Sequence, residues 1–406
     1  MSKIAVITMG VRLDHEQGYT RFRSICEMFA DAGHEVDLIT TTFQHWEKRQ
    51  RDMEQIRHDK YKFRLRFIYE PGYKKNIDLR RIFSHKVAAT KLRKLLERTG
   101  DYDLIYAEIP PNNVALTAAE YAYKRGIPFI ADVNDLWPEA MRMVIDIPVL
   151  STVLFYPLQR EAEKVYKLAS GVIGTSDEYR ERPFLRRKRD IPKKTVYVGN
   201  ELQVFDEGFE KNKDSVVKGA DEFWVSYAGT IGTSYDIRTM VLAAEVLKKR
   251  GITNIRFKIL GDGPMREELE GLAEARKADH VEFVGYVAYD RMAAYLVKSD
   301  LLVNSFVRKA PQSIVTKIGD YLAAGKPMIN TCMSPEFRNK VEQDGFGINI
   351  IPEDAKGLAD AVEALYKDPE RCREMGERAR QIAEEQFDRP KSYREILKMA
   401  EELLGR

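Results

Sequence analysis

Two series of short apolar runs, separated by amphipathic stretches, follow one another along this chain, and that repetition constrains the fold more than any other feature. The first series opens at Ile4-Ala5-Val6-Ile7 and the second at Phe223. Such alternation is how βαβ units look in sequence, because a parallel strand is buried on both faces and its crossover helix on one. Two series in tandem predict an α/β protein of two Rossmann-like, doubly wound domains. Strands are expected at Ile4 to Thr8, Glu35 to Thr40, Leu65 to Tyr69, Asp103 to Tyr106, Pro128 to Val133, Gly171 to Thr175 and Thr195 to Val198. The second series places them at Phe223 to Ala228, Ile255 to Leu260, Val281 to Val284, Asp300 to Asn304, Pro327 to Asn330 and Gly347 to Ile350. The length of 406 residues suits two domains of about 200 residues each.

The first helix carries Phe22, Ile25, Phe29 and Ala32 at spacings of three and four, with Gly33 as its C-terminal cap. A polar stretch from Asp206 to Asp221 interrupts the alternation and reads as a linker. The expected limits are therefore 1–205 for the N-terminal domain, 206–385 for the C-terminal domain, and 386–406 for a terminal helix packing back on the first domain.

No apolar run approaches the roughly 18 residues of a membrane-spanning helix. Met1-Ser2-Lys3 leads straight into the first strand without the parts of a signal peptide, so a cytoplasmic location is expected. Cys26, Cys332 and Cys372 lie far apart, which argues against a disulfide framework or a zinc site. The net charge is only +3, yet 17 Lys/Arg stand against 7 Asp/Glu between Thr41 and Gly100, and a second basic cluster runs from Arg180 to Lys194. Either these are solvated charged faces or they attract anionic lipid, at about 1 kcal/mol per basic residue near a membrane. No nucleic-acid-binding motif accompanies them, so nucleic acid is not an expected partner.

Ligands of open α/β sheets bind beyond the carboxyl ends of strands. After the first strand, Gly18 stands just ahead of a helix, where glycine serves a close phosphate or an ordinary tight turn. The second series opens with Tyr227-Ala228-Gly229-Thr230-Ile231-Gly232, followed by Leu260-Gly261-Asp262-Gly263-Pro264-Met265-Arg266 and Phe283-Val284-Gly285-Tyr286-Val287. Arg266 occupies the place of a third glycine, which counts against a dehydrogenase. The last segment runs Pro311-Gln312-Ser313-Ile314-Val315-Thr316-Lys317-Ile318-Gly319-Asp320-Tyr321-Leu322-Ala323-Ala324-Gly325-Lys326-Pro327. Ser313 to Ala324 reads as a helix with Lys317 and Asp320 on one face.

In their order these segments resemble the retaining glycosyltransferases of family 4, which have the GT-B fold of two Rossmann-like domains facing across a cleft. The resemblance covers nearly the whole chain and is strongest from Phe223 to Asn330. It implies a hexosyltransferase that takes a nucleotide-sugar, a UDP-sugar, in its C-terminal domain and needs neither metal nor further cofactor. Asp320 matches the family's second acidic residue, which accepts hydrogen bonds from the ribose. Lys317 would meet the diphosphate, and the main chain at Val284 to Val287, with Tyr286, the base. Gly18, Gly229, Thr230, Ile231, Gly232, Gln312, Ser313 and Thr316 complete the implied donor set. Without a donor, Lys317 and Asp320 read equally as an exposed helical ion pair.

Three departures stand out. Thr230 and Tyr235 occupy places where many relatives carry an Arg and a Lys that clamp the diphosphate. Backbone N–H groups of Gly229 to Gly232, with Lys317, Arg308 or Lys309, would then do that work. Gln312 replaces the family's first acidic residue. In Asp132-Val133-Asn134-Asp135-Leu136-Trp137-Pro138, Asn134 stands where many relatives carry a histidine; Asp135 and Asn134 are the catalytic candidates the resemblance implies, and Asp135 reads otherwise as a helix cap. The resemblance also implies a lipid-linked or saccharide acceptor in surface polysaccharide or lipopolysaccharide synthesis, at the inner face of the cell membrane. A sugar-nucleotide epimerase of the same fold and an inactive nucleotide-sugar-binding scaffold remain open as alternatives.

Overall fold

The computed structural model describes the chain apart from residues 14, 15, 17–19, 77, 143–147, 186, 187, 311–313 and 406, and apart from the side chains of 142 and 148–152. It forms two compact units, one made of Met1–Tyr197 with Ser392–Arg406 and the other of Val198–Lys391.

The first unit is built on β1 (Lys3–Ile7), β2 (Glu35–Thr41), β3 (Arg64–Ile68), β4 (Leu104–Ile109), β5 (Phe129–Val133), β6 (Gly171–Gly174) and β7 (Lys193–Thr195). They pair in the order β3-β2-β1-β4-β5-β6-β7, and every pairing is parallel. Ile4 of β1 lies in register with Val36 on one side and Leu104 on the other. Ile4 to Ile7 are all buried, which is why this strand is apolar throughout. The strand order reverses at β1, so the carboxyl ends of β1 and β4 open the crevice where a ligand enters such a sheet. On one face α1 (Arg21–Asp31) lays down Phe22, Ile25 and Phe29, and the terminal helix (Arg394–Leu403) adds Ile396, Met399 and Ala400 to the same core. On the other face α2 (Leu79–Thr99), α3 (Asn112–Arg125) and α4 (Pro148–Leu168) contribute Leu92, Leu96, Ala115, Ala118 and Val165.

A buried ion pair ties the terminal segment to this unit. The Arg21 guanidinium donates to both carboxylate oxygens of Asp132, at 3.0 and 3.2 Å, to the carbonyls of Val196 and Tyr197, and to the Tyr393 hydroxyl. Tyr106 donates to the same carboxylate at 2.6 Å. With every charge satisfied, the pair avoids the penalty of an isolated buried ion.

The second unit repeats the plan with β8 (Phe223–Ala228), β9 (Ile255–Leu260), β10 (Val281–Gly285), β11 (Leu301–Asn304), β12 (Met328–Asn330) and β13 (Gly347–Asn349). Their order is β10-β9-β8-β11-β12-β13. Its helices are α5 (Leu202–Asn212), α6 (Ile237–Lys249), α7 (Arg266–Ala275), α8 (Tyr289–Lys298), α9 (Lys317–Ala323), α10 (Pro335–Asp344), α11 (Ala355–Tyr366) and α12 (Pro369–Ile382). Met240, Ala243 and Leu247 of α6 join Leu358, Val362 and Leu365 of α11 in its core.

Two expectations need correction. The first part of the stretch read as a linker over 206–221 is the end of α5, whose Leu202 and Phe205 are buried, and only the residues after Asn212 lie outside regular structure. The unit boundary falls after Tyr197, not after residue 205, because the next residues are bound by the second unit. Asn200 N–H donates to the Phe387 carbonyl at 3.0 Å, and Arg389 donates to the carbonyls of Val198 and Gly199. For the same reason the chain rejoins the first unit at Ser392 and not at 386.

Candidate donor and acceptor sites

In the second unit three glycine turns are stitched together at the carboxyl ends of β8, β9 and β10. Gly229 N–H donates to Leu260 O, Ile231 N–H to Asp262 O, Met265 N–H to Ile231 O and Gly261 N–H to Gly285 O. Gly261 has φ +129°, and a Cβ there would lie 1.9 Å from the Gly229 carbonyl oxygen, so only glycine allows this approach. The stitching corrects the expected donor set. The amides of Gly229 and Ile231 are spent inside the protein, and the Ile231 side chain lies in the core. The N–H groups of Thr230 and Gly232 have no acceptor among the described residues. Val284 is half-buried, and the Tyr286 ring stands exposed beside Gly285.

The helix expected from Ser313 begins at Lys317, with Thr316 exposed just before it. Gly18, Gln312 and Ser313 lie outside the described residues. Lys317 and Asp320 form no surface ion pair. The Lys317 Nζ is buried, without a hydrogen-bond partner among the described residues, and ringed by aromatic side chains. It lies 4.3 Å from the ring centre of Tyr227, 4.5 Å from Tyr235, 5.1 Å from Phe306 and 5.8 Å from Tyr321. Burial pulls its pKa down to about 7. Tyr235, standing where a family lysine is expected, instead forms a wall of this cage. Arg308 and Lys309 are exposed, and Arg308 donates to the Pro352 carbonyl.

Asp320 accepts from the Tyr289 hydroxyl at 2.7 Å and from Asn200 Nδ2 at 3.0 Å. Both bonds fall on Oδ1, leaving Oδ2 for another donor. Burial raises its pKa against the opposing effect of those hydrogen bonds and of Arg389. Asn200 and Tyr289 escaped the sequence reading, since they stand far from Asp320 in the chain and carry no motif.

In the first unit, Asn134 follows β5, its N–H donating to Ile109 O and its Nδ2 to Asp132 O. Asp135 accepts from Leu136 N–H at 2.8 Å and from Trp137 Nε1 at 3.2 Å, which fastens the loop. Burial raises its pKa. Asn112, the first residue of α3, is buried and donates to the carbonyls of Trp137 and Leu158. Sequence reading also passed over Glu108, whose only signal was a carboxylate inside the apolar strand β4. It accepts from the Thr8 hydroxyl at 2.6 Å and from Met9 N–H at 3.2 Å, and burial pushes its pKa up to about 7. Much of the second basic cluster is neutralised: Arg180 pairs with Asp177, Arg182 with Glu139, Lys193 with Glu181 and Lys194 with Glu395.

Residues 19–201 match the family model of the glycosyl transferase 4-like domain, and residues 208–382 that of the glycosyl transferases group 1. The α-D-kanosaminyltransferase of Streptomyces kanamyceticus is 27% identical over 235 residues, covering 55% of this chain and 58% of that protein's length. Sucrose-phosphate synthase from Thermosynechococcus elongatus matches with a TM-score of 0.72 and 20% identity over 100% of both chains. Anabaena HepE, solved in complex with UDP, matches with a TM-score of 0.70 and 16% identity, also over 100% of both chains. With two successive domain matches and this shared architecture, the chain belongs to the glycosyltransferases of the GT-B fold, a 4-like domain followed by a group 1 domain.

Proposed function

We propose that the protein transfers a sugar from a UDP-sugar, held by the second unit, to a lipid-linked or saccharide acceptor held by the first, with retention of configuration and without a metal. The observation that carries this reading is Lys317. A buried cation with no anionic partner is costly, and the cost is removed when an anion arrives. Lys317 sits one helical turn before Asp320 and beside the loop of Thr230 and Gly232, where a diphosphate next to a ribose would lie. UDP in the HepE complex supports the choice of nucleotide.

Negative charge develops on the diphosphate as the sugar leaves. Lys317 and the free N–H groups of Thr230 and Gly232 would stabilise it, while Asp320 Oδ2 accepts a ribose hydroxyl. Attack on the same face, with a diphosphate oxygen taking the acceptor's proton, asks the first unit only to orient the acceptor. Asp135 and Glu108 are the carboxylates at the carboxyl ends of β5 and β4 for that task, since Asn134 does not ionise.

Synthesis of a surface polysaccharide or lipopolysaccharide at the inner face of a membrane fits one further feature. Leu79, Ile82 and Phe83 are exposed on the first turns of α2. Lys74, Lys75, Arg80 and Lys86 stand beside them with no ion pair among the described residues. No described helix is long and apolar enough to cross a membrane.

Product analysis with a panel of UDP-sugars and saccharide acceptors in EDTA tests the reading. Expected is acceptor-dependent UDP release with the anomeric configuration retained. Conversion of one UDP-sugar into another without acceptor would make the protein an epimerase. Loss of turnover in EDTA, restored by Mg²⁺, would refute metal independence.

A further inference from the structure

At the carboxyl end of the first unit's sheet, basic and aromatic side chains gather around two cations, Lys48 and Arg81; the neighbouring carboxylates turn to other groups, Glu70 to His85 at 3.8 Å and Asp135 to Trp137 Nε1 at 3.2 Å. Lys48 Nζ lies 5.0 Å from the ring centre of Tyr73, 2.7 Å from Asn76 Oδ1 and 3.3 Å from His45 Nδ1. Arg81 lies 5.3 Å from the same tyrosine ring and 4.4 Å from that of Trp137. His45 Nδ1 is 2.6 Å from the Tyr73 hydroxyl, and His85 stacks on Trp137. Neither Lys48 nor Arg81 has an ion pair among the described residues, and Arg81 Nε is buried without a hydrogen-bond partner there.

The charges near this cluster leave it positive. Glu70 is buried and bound to Ser84, and Asp135 is bound to Leu136 and Trp137. Burial raises the pKa of both, and neither forms an ion pair with Lys48 or Arg81 among the described residues. Burial and the neighbouring cations hold His45 and His85 at about 3, so both are neutral. Burial and Arg81 pull Lys48 down to about 8. Two half-buried, uncompensated cations against aromatic faces make a poor solvated surface and a good receptor for an anion joined to a flat apolar body. The guanidinium adds a fork suited to a phosphate or carboxylate. Tyr73 and Trp137 are 6% and 8% exposed, too enclosed for a bilayer surface, and the half-buried Lys48 and Arg81 stand against them.

We infer that this cluster is an acceptor subsite for a saccharide bearing an anionic group, phosphate or carboxylate, which Lys48 and Arg81 bind. The inference rests on the reading that the first unit takes the acceptor.

Calorimetric titration of the intact chain with UDP present in excess, so that a sugar phosphate does not enter the donor position, tests it. The probes are glucose 1-phosphate, glucuronate and glucose. At least one anionic sugar should bind about tenfold or more tighter than glucose, and Lys48→Met and Arg81→Gln should each weaken it about tenfold. Preference for glucose 1-phosphate assigns a phosphorylated acceptor, and preference for glucuronate an acidic sugar. UDP affinity and melting temperature in both variants show whether the fold is kept, and Lys48→Met, at the half-exposed edge, serves if Arg81→Gln unfolds. Glucose binding as well as the anions, unchanged affinity in a folded variant, or no binding of either anion by protein that binds UDP would overturn the inference. Failure to bind UDP counts instead against the donor site.

Discussion

Lys317 is the residue at which burial, charge and function meet. Its pKa of about 7 lies below the ordinary 10.5, so between those values the unfolded chain holds the extra proton. Through this group the ligand-free protein gains stability as pH rises from about 7 toward 10.5, and it carries a penalty at lower pH. On the proposed reading a donor diphosphate reverses the preference by binding the charged form. Binding of UDP-glucose at about pH 8 should therefore take up close to one proton, read as a dependence of the binding heat on the buffer's ionisation enthalpy. Lys317→Met should abolish that uptake and raise ligand-free stability near pH 6 by about 1–3 kcal/mol. Buffer-independent heats for the wild type would mean that no buried lysine charges on binding. Asp320 differs: an alanine would strand Asn200 and Tyr289, whereas Asp320→Asn keeps a partner for Tyr289 and removes only charge.

Among the elements, the glycine turns translate sequence into a site. Gly261→Ala places a Cβ against the Gly229 carbonyl, which is backbone and has no room to yield. The variant should displace the loop of Thr230 and Gly232 and weaken UDP binding by about tenfold or more. Gly271, inside α7, meets nothing within 4 Å, so Gly271→Ala should stabilise by about 0.5–1 kcal/mol and leave binding unchanged. Equal binding by both variants would show that the stitched turns do not shape the donor loop. The central strands were legible because they are apolar on both faces and bounded by turns; Phe223–Ala228 and Ile255–Leu260 fall where the sequence puts them, whereas the edge strand expected at Thr195 to Val198 lies at Lys193–Thr195, which carries no apolar side chain to mark it. The short hairpin of Phe43–Gln44 with Arg49–Gln50 was not, having too few residues for any period. Lys317 and Asp320 were found through their motif, but the cage was not, because its rings come from three segments, at 227–235, 306 and 321, and only tertiary packing collects them. The helix start at Lys317 was misplaced since Ile314 continues the apolar spacing beyond the end of the helix.

In the whole molecule the proposed donor unit, acceptor unit and membrane-facing edge lie in one chain. Vesicles containing anionic lipid should bind the protein, more weakly as salt rises, and Leu79→Asp with Phe83→Asp should reduce binding several-fold without lowering the melting temperature. Binding that ignores lipid charge, salt and these substitutions would remove that edge from the account. The second unit is proposed to hold a nucleoside diphosphate sugar through Lys317 and Asp320. The most direct measurement is the affinity of the intact chain for UDP-glucose in EDTA, compared with Lys317→Met and Asp320→Asn. The account predicts metal-free binding that falls about tenfold to a hundredfold in each folded variant. Unchanged affinity in both would contradict it.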